Sequence, residues 1–284
     1  MFTDRITHLK NAFRWTRDSS ILLSAFFLTI ALILYVWWPL AQEATAYVDW
    51  TGPWWRYMDW LLIGIFLFMS IAIVSRADLK LDTVTILVAT VGGLVIESWG
   101  TQTNLWHYYT AERPPLWIIP AWPIATLTIN RIVLVLDIFT SKERKVLGAS
   151  TKNLAHSASW RLQLVYWLLF TAFFALMLYF VSPTFDKSYT LLATLLVFLL
   201  IITPTNHRHA ILTFVAGAGL GYYLELWGTT RECWIYYTFA KPPIFAVFAH
   251  GMAAVAFWRM ELMLKTIWQK IVPVPRKSLE REGL

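Results

Sequence analysis

Glu97 and Glu225 each open a copy of one short sequence. Residues 97–115 read ESWGTQTNLWHYYTAERPP and residues 225–243 read ELWGTTRECWIYYTFAKPP. They align without a gap at an offset of 128, and ten of the nineteen positions are identical. About one identity is expected by chance at average residue usage. The shared residues are Glu, Trp, Gly, Thr, Tyr and Pro, not the Leu and Val common to any two apolar helices. Such a set offers acid chemistry between aromatic walls. A carboxyl just inside the end of an apolar helix is costly to ionise unless it is paired or faces a cavity, so it can persist as the neutral acid and donate a proton. Flat Trp and Tyr faces suit polyenes, sterols or prenyl chains, and their π faces stabilise a passing cation.

The candidate catalytic residues are Glu97, Glu225 and His250. His250 falls where the first copy has Trp122, so the repeat is broken there by an ionisable side chain within an apolar stretch. The candidate substrate-binding residues are Trp99, Thr101, Trp106, Tyr108, Tyr109 and Trp122, with Trp227, Thr229, Trp234, Tyr236 and Tyr237. Each has a structural alternative. Trp and Tyr anchor helices at membrane interfaces, a Glu near a helix end can reach back to water, and a helical His is often a hydrogen-bonded packing group. Gly100 and Gly228 are expected to end their helices in a left-handed cap, and the Pro pairs that follow to set the entry of the next helix.

The elements that must hold these residues are membrane helices. The chain has 284 residues, 58% hydrophobic and 14% charged, well outside the range of soluble domains. Apolar runs recur at roughly 20–38, 59–75, 83–99, 115–137, 163–182, 189–204, 209–227 and 243–264, each about the length that crosses ~30 Å of hydrocarbon. The expected fold is all-α: a polytopic membrane helix bundle of eight transmembrane helices, arranged as two parallel pseudo-symmetric four-helix repeats. Residues 1–138 would form the first repeat with an N-terminal tail, 139–162 a basic linker, and 163–284 the second repeat with a C-terminal tail. Even-numbered repeats cross in the same sense, and a site is then expected between them. Nineteen mostly polar residues precede the first apolar run, unlike a cleaved signal.

Seventeen Lys and Arg fall in the two tails and the loops around 76–82, 139–162 and 205–208, against five in the other four loops. The bias places both termini in the cytoplasm and both glutamate motifs at the outer face of a plasma or bacterial inner membrane. Arg131 and Arg259 would then be interfacial anchors near the cytoplasmic face, with Asp137 and Glu261 as surface ion-pair partners. The net charge of +7 follows this loop pattern and does not indicate nucleic-acid binding. Cys233 is the sole cysteine, which excludes an intrachain disulfide. His207-Arg208-His209 has metal-like spacing but lies in a short turn without a neighbouring Cys, and no metal is expected. The phosphate-loop, dinucleotide, nucleophile-elbow and zincin motifs are absent, and no cofactor is expected.

At the repeated motif the chain resembles membrane proteins of carotenoid biosynthesis, namely the carotenoid hydratase group and the heterodimeric or fused lycopene cyclases. The matching residues are Glu97, Gly100, Thr101, Trp106, Tyr108 and Pro114, then Glu225, Gly228, Thr229, Trp234, Tyr236 and Pro242. The likeness covers about forty residues of each half. The cyclases' Pro-x-Glu-Glu segment has no counterpart at Pro115-Leu116-Trp117, Pro120-Ala121-Trp122 or Pro243-Ile244-Phe245. The resemblance therefore implies hydration or binding of a polyisoprenoid more than cyclisation.

Two functions are consistent with these residues. One is a cofactor-independent lyase or isomerase, hydratase-like or cyclase-like, in which one Glu protonates a carbon–carbon double bond. Aromatic rings would shelter the cation, and the other Glu or His250 would take a proton or direct water. The other is a non-catalytic membrane module: a lipid or pigment carrier, a small-molecule transporter, or a subunit of a larger complex. The expected partner is a membrane lipid or apolar isoprenoid, with a membrane-protein partner or second copy of the chain left open. Catalysis in this scheme requires both Glu to face one cavity.

Overall fold

A computed structural model describes residues 15–147 and 152–271. The nine helices in it are α1 (Arg17–Val36), α2 (Trp38–Thr45), α3 (Trp60–Val74), α4 (Leu79–Gln102), α5 (Ala121–Leu147), α6 (Lys152–Val181), α7 (Ser188–Ile202), α8 (His207–Thr230) and α9 (Ile244–Ile271). Two three-residue strands, β1 (Trp106–Tyr108) and β2 (Trp234–Tyr236), and three short 3-10 turns at Trp54–Tyr57, Leu116–Ile118 and Ser182–Thr184 complete the regular structure. Every apolar run in the sequence is helical. Six segments are long and apolar enough to cross a membrane, whereas α3 and α7 are apolar but only 15 residues each, or about 22 Å.

Helix starts follow from local chemistry. Thr16 and Ser19 form a reciprocal capping box at α1, and the side chains of Asp59, Asp78 and Asn206 cap α3, α4 and α8. The residues between the halves, expected to be a polar linker, are largely helical: α5 runs to Leu147 and α6 starts at Lys152. The tails 1–14 and 272–284, which carry much of the basic bias, lie outside the described residues, as do 148–151.

Correspondences at an offset of 128 extend well beyond the motif. They relate α3 to α7, α4 to α8 and β1 to β2. The same spacing relates the cis peptides Arg113–Pro114 and Lys241–Pro242, and the left-handed residues Asn104 and Glu232. The strands pair antiparallel, with His107 opposite Ile235, Trp106 opposite Tyr236 and Tyr108 opposite Trp234. His107 and Ile235 are themselves equivalent, so a local twofold axis passes through this pair. Cross-strand ring contacts, Trp106–Tyr236 at 5.8 Å and Tyr108–Trp234 at 5.9 Å, obey the same symmetry.

The equivalent short helices are packed differently. α3 lies against α1, α5 and α8, whereas the main packing partner of α7 among the described elements is α6. α8 and α9 form a very close pair, because a Cβ at Gly251 would sit 2.5 Å from the Phe214 carbonyl oxygen.

Candidate functional site: two glutamates on one cleft

Each motif folds back on its own glutamate. The helix continues one turn past Glu97, and the chain then reverses through Asn104, at φ 60°, into β1. Gly100 and Gly228 do not cap their helices as expected: both lie within helices, and no described glycine has positive φ. They are needed instead for close approach. A Cβ at Gly100 would lie 1.8 Å from the Trp106 ring, and one at Gly228 2.0 Å from Trp234. The indoles thus lie across the helices and aim their N–H groups at the carboxyls.

Trp106 Nε1 donates to Glu97 Oε2 at 3.0 Å, and the Tyr108 hydroxyl donates to Oε1 at 2.9 Å. Trp234 Nε1 and the Tyr236 hydroxyl make the same bonds to Glu225, each at 2.9 Å. Both glutamates are 4% exposed, and neither depends on backbone amides. Burial, and next the charge of the adjacent Glu, push the Tyr108 phenol well above its ordinary range, as Glu225 does for Tyr236. Both phenols therefore keep their protons and serve as donors.

The third partner differs between halves. Trp122 Nε1 donates to Glu97 Oε1 at 3.2 Å, whereas His250 Nε2 lies 2.9 Å from Glu225 Oε1. The two rings stack at 5.9 Å with planes 20° apart. Close approach again needs glycine: a Cβ at Gly93 would meet Trp122 at 2.3 Å, and one at Gly221 would meet His250 at 2.5 Å. The indole is a donor only. The imidazole can give or accept, so the Glu225 pair can share a proton that the Glu97 pair cannot.

A cleft of about 1600 Å³ runs past both carboxyls, lined by Glu97, Glu225, His250, Trp122, Trp106 and Tyr236 and otherwise mostly by aliphatic and Phe side chains, with Arg259 and Lys270 also on its wall. Tyr108, Trp234, Trp99 and Trp227 also border it. The last two are tethered: Trp99 Nε1 to Thr190 Oγ1 at 3.1 Å, and Trp227 Nε1 to Asp59 Oδ2 at 2.7 Å. Thr101 and Thr229 are not among the lining residues. Each is buried and donates back to the carbonyl of Glu97 or Glu225 at 2.6 Å, bracing the helix that carries the acid. Tyr109 and Tyr237 are also absent from the wall, and their hydroxyls bond the carbonyls of Val36 and Phe180, at the ends of α1 and α6.

Several groups have roles that sequence patterns missed. Asp59 caps α3 and receives both Trp227 and Arg231. Trp37 borders the cleft and packs on Trp227 at 4.7 Å. Arg131 forms a buried ion pair with Asp82 at 2.6 Å that ties α5 to α4, while its equivalent Arg259 reaches Thr203 and the Leu200 carbonyl on α7. Asp137 and Glu261, expected as ion-pair partners, pair with Arg208 and Lys265, and Glu261 also accepts from the Thr85 hydroxyl. The His207 and His209 rings pack on Tyr166 and Trp258. Among the described residues no three His, Cys, Asp or Glu converge as a metal site.

Together these features define an all-α helical protein with six segments fit to cross a membrane and a paired-carboxylate cleft between its helices. No protein-family model, curated protein or solved structure matches the chain.

Proposed function

We propose that the protein is an integral membrane enzyme, with two parallel four-helix repeats and both termini in the cytoplasm, that binds a polyisoprenoid chain and protonates one of its double bonds. The observation that carries this reading is that Glu97, Glu225 and the stacked Trp122–His250 pair border one cleft that is otherwise overwhelmingly apolar. The fold of the motif back on its own acid supports a role for the carboxyls beyond helix capping, and the choice of a polyisoprenoid follows the resemblance of the motif to the carotenoid hydratase group.

Glu225 is the acid in this scheme. Its proton bonds to one alkene carbon using the π electron pair, and the neighbouring carbon becomes a cation facing the Trp and Tyr rings. A water oxygen adds to that carbon. The oxonium proton returns to the Glu225 carboxylate, which the His250 imidazole, with Nε2 at 2.9 Å, holds in place and stabilises while it awaits the proton. The net change is addition of one water, with the protein unchanged. Loss of a proton from an adjacent carbon, in place of water addition, gives isomerisation by the same groups. Glu97, held by three donors of which none gives up its proton near neutrality, positions the chain and faces the developing positive charge.

One observation favours a non-catalytic carrier: every carboxyl oxygen already has a side-chain donor, as a structural peg would. Lipid profiles of cells expressing wild type or Glu225→Gln separate the two. Conversion that depends on Glu225 supports the enzyme, and unchanged lipid composition with retained lipid binding supports the carrier.

A further inference from the structure

Two copies of the motif suggest two ligand sites, but the helices around them are not equivalent. We infer that the chain holds one elongated apolar ligand and admits it sideways from the bilayer, through a gap between α4 and α7. This rests on the lipid-binding reading above and deepens it.

The second half leaves open what the first half closes. α3 is packed against α5 and α8, while its equivalent α7 lacks comparable packing against α4 and α9, which reach it through Trp99–Thr190 at one end and Arg259 to Leu200 and Thr203 at the other. The exposure of the cleft's walls follows this difference. On the first-half side, Phe26, Ile33, Ile65 and Met69 line the cleft and are buried. On the other side, Leu87, Val91 and Val95 of α4 and Leu192 and Leu196 of α7 line it and are each more than half exposed. Their spacing of four residues makes one stripe per helix, so a gap between α4 and α7 faces lipid between its two ends.

The end nearest the glutamates is shut. Trp99 Nε1 bonds Thr190 Oγ1, and the fully buried Thr190 also bonds Thr184 at 2.9 Å, joining the end of α4 to the start of α7. Entry is therefore lateral and not through this end. Wall residues on α9 run from Phe245 to Lys270, and the stretch from His250 onward covers about 30 Å along the helix, close to the ~30 Å of the hydrocarbon layer. A long chain lying parallel to the helices fits this shape, with one end against Glu225 and His250.

The full chain, reconstituted in phosphatidylcholine nanodiscs, is photolabelled with a diazirine-bearing geranylgeraniol, with and without excess unlabelled geranylgeraniol. Lipid that co-purifies is measured separately by native mass spectrometry. The expected result is one competable label per chain, on peptides from α4, α7 and α9. Leu192→Trp and Leu196→Trp, which place bulk in the gap, lower it about tenfold, while Ile63→Trp on the lipid face of α3 leaves it unchanged. Two competable labels per chain, or labelling indifferent to the α7 substitutions, overturns single lateral entry. If a prenyl lipid co-purifies but no competable label appears in these helices, the entry route fails and lipid binding stands. If neither is found, both fail.

Discussion

Trp122 and His250 lie face to face at 5.9 Å, each bonded to the glutamate of its own half. They occupy equivalent positions in the two motifs, so the molecule differs from itself at the point where the halves meet. One side of the stack carries a fixed N–H donor and the other an imidazole that can move a proton. Both acids border one cleft, which is the condition that catalysis by the pair requires.

That difference makes the two carboxyls unequal. Glu225→Gln should lower conversion by roughly 10²–10⁴-fold, the range for loss of a general acid or base. His250→Trp, which copies the first half into the second, should lower turnover similarly while lipid binding persists. Equal turnover in His250→Trp and wild type, measured on the same reconstituted protein, contradicts the role given to His250.

Gly100 and Gly228 are required by ring contact and not by backbone angle. Gly100→Ala and Gly228→Ala should each destabilise the protein by about 1–3 kcal/mol, because the indole must leave its place over the helix. Thermal unfolding in detergent, followed by tryptophan fluorescence, measures this. Wild-type stability in both variants rules out the packing described.

Asp82→Asn leaves the buried Arg131 without its carboxylate. The expected loss is about 3–5 kcal/mol, and the double change Asp82→Asn/Arg131→Met should recover part of it, since removing both charges is less costly than stranding one. Unfolding of the three variants under one set of conditions gives the comparison.

Burial pushes the Cys233 thiol up to about 12 and leaves the residue 3% exposed. Thiolate is the reactive form, so a maleimide should leave the folded protein unlabelled at pH 8 and label it after denaturation. Rapid labelling of the folded protein means that the turn between α8 and β2 is open.

Composition and apolar runs made the helices legible, since six long apolar segments and two shorter ones admit few other structures. Their ends were less so. The 83–99 stretch lengthens to Leu79–Gln102 because Asp78 caps its start and the Thr101 and Thr103 hydroxyls bond back to carbonyls at its end. The glutamates and aromatic residues were visible through repetition alone. The β1–β2 ribbon was not, because a Trp-x-Tyr alternation is too short to mark a strand until its second copy pairs with it. Asp59 and Asp82 were also missed: their partners Trp227 and Arg131 lie far along the chain, and only folding brings them within reach.

The first measurement is a mass-spectrometric profile of total apolar lipids from a deletion strain and from strains expressing wild type, Glu225→Gln or Glu97→Gln/Glu225→Gln at equal level. Acid-catalysed isoprenoid chemistry predicts a species gaining the mass of water, or rearranged at constant mass, that appears with wild type and is lost in both variants. Identical profiles in all strains would contradict it and leave the cleft as a binding site alone.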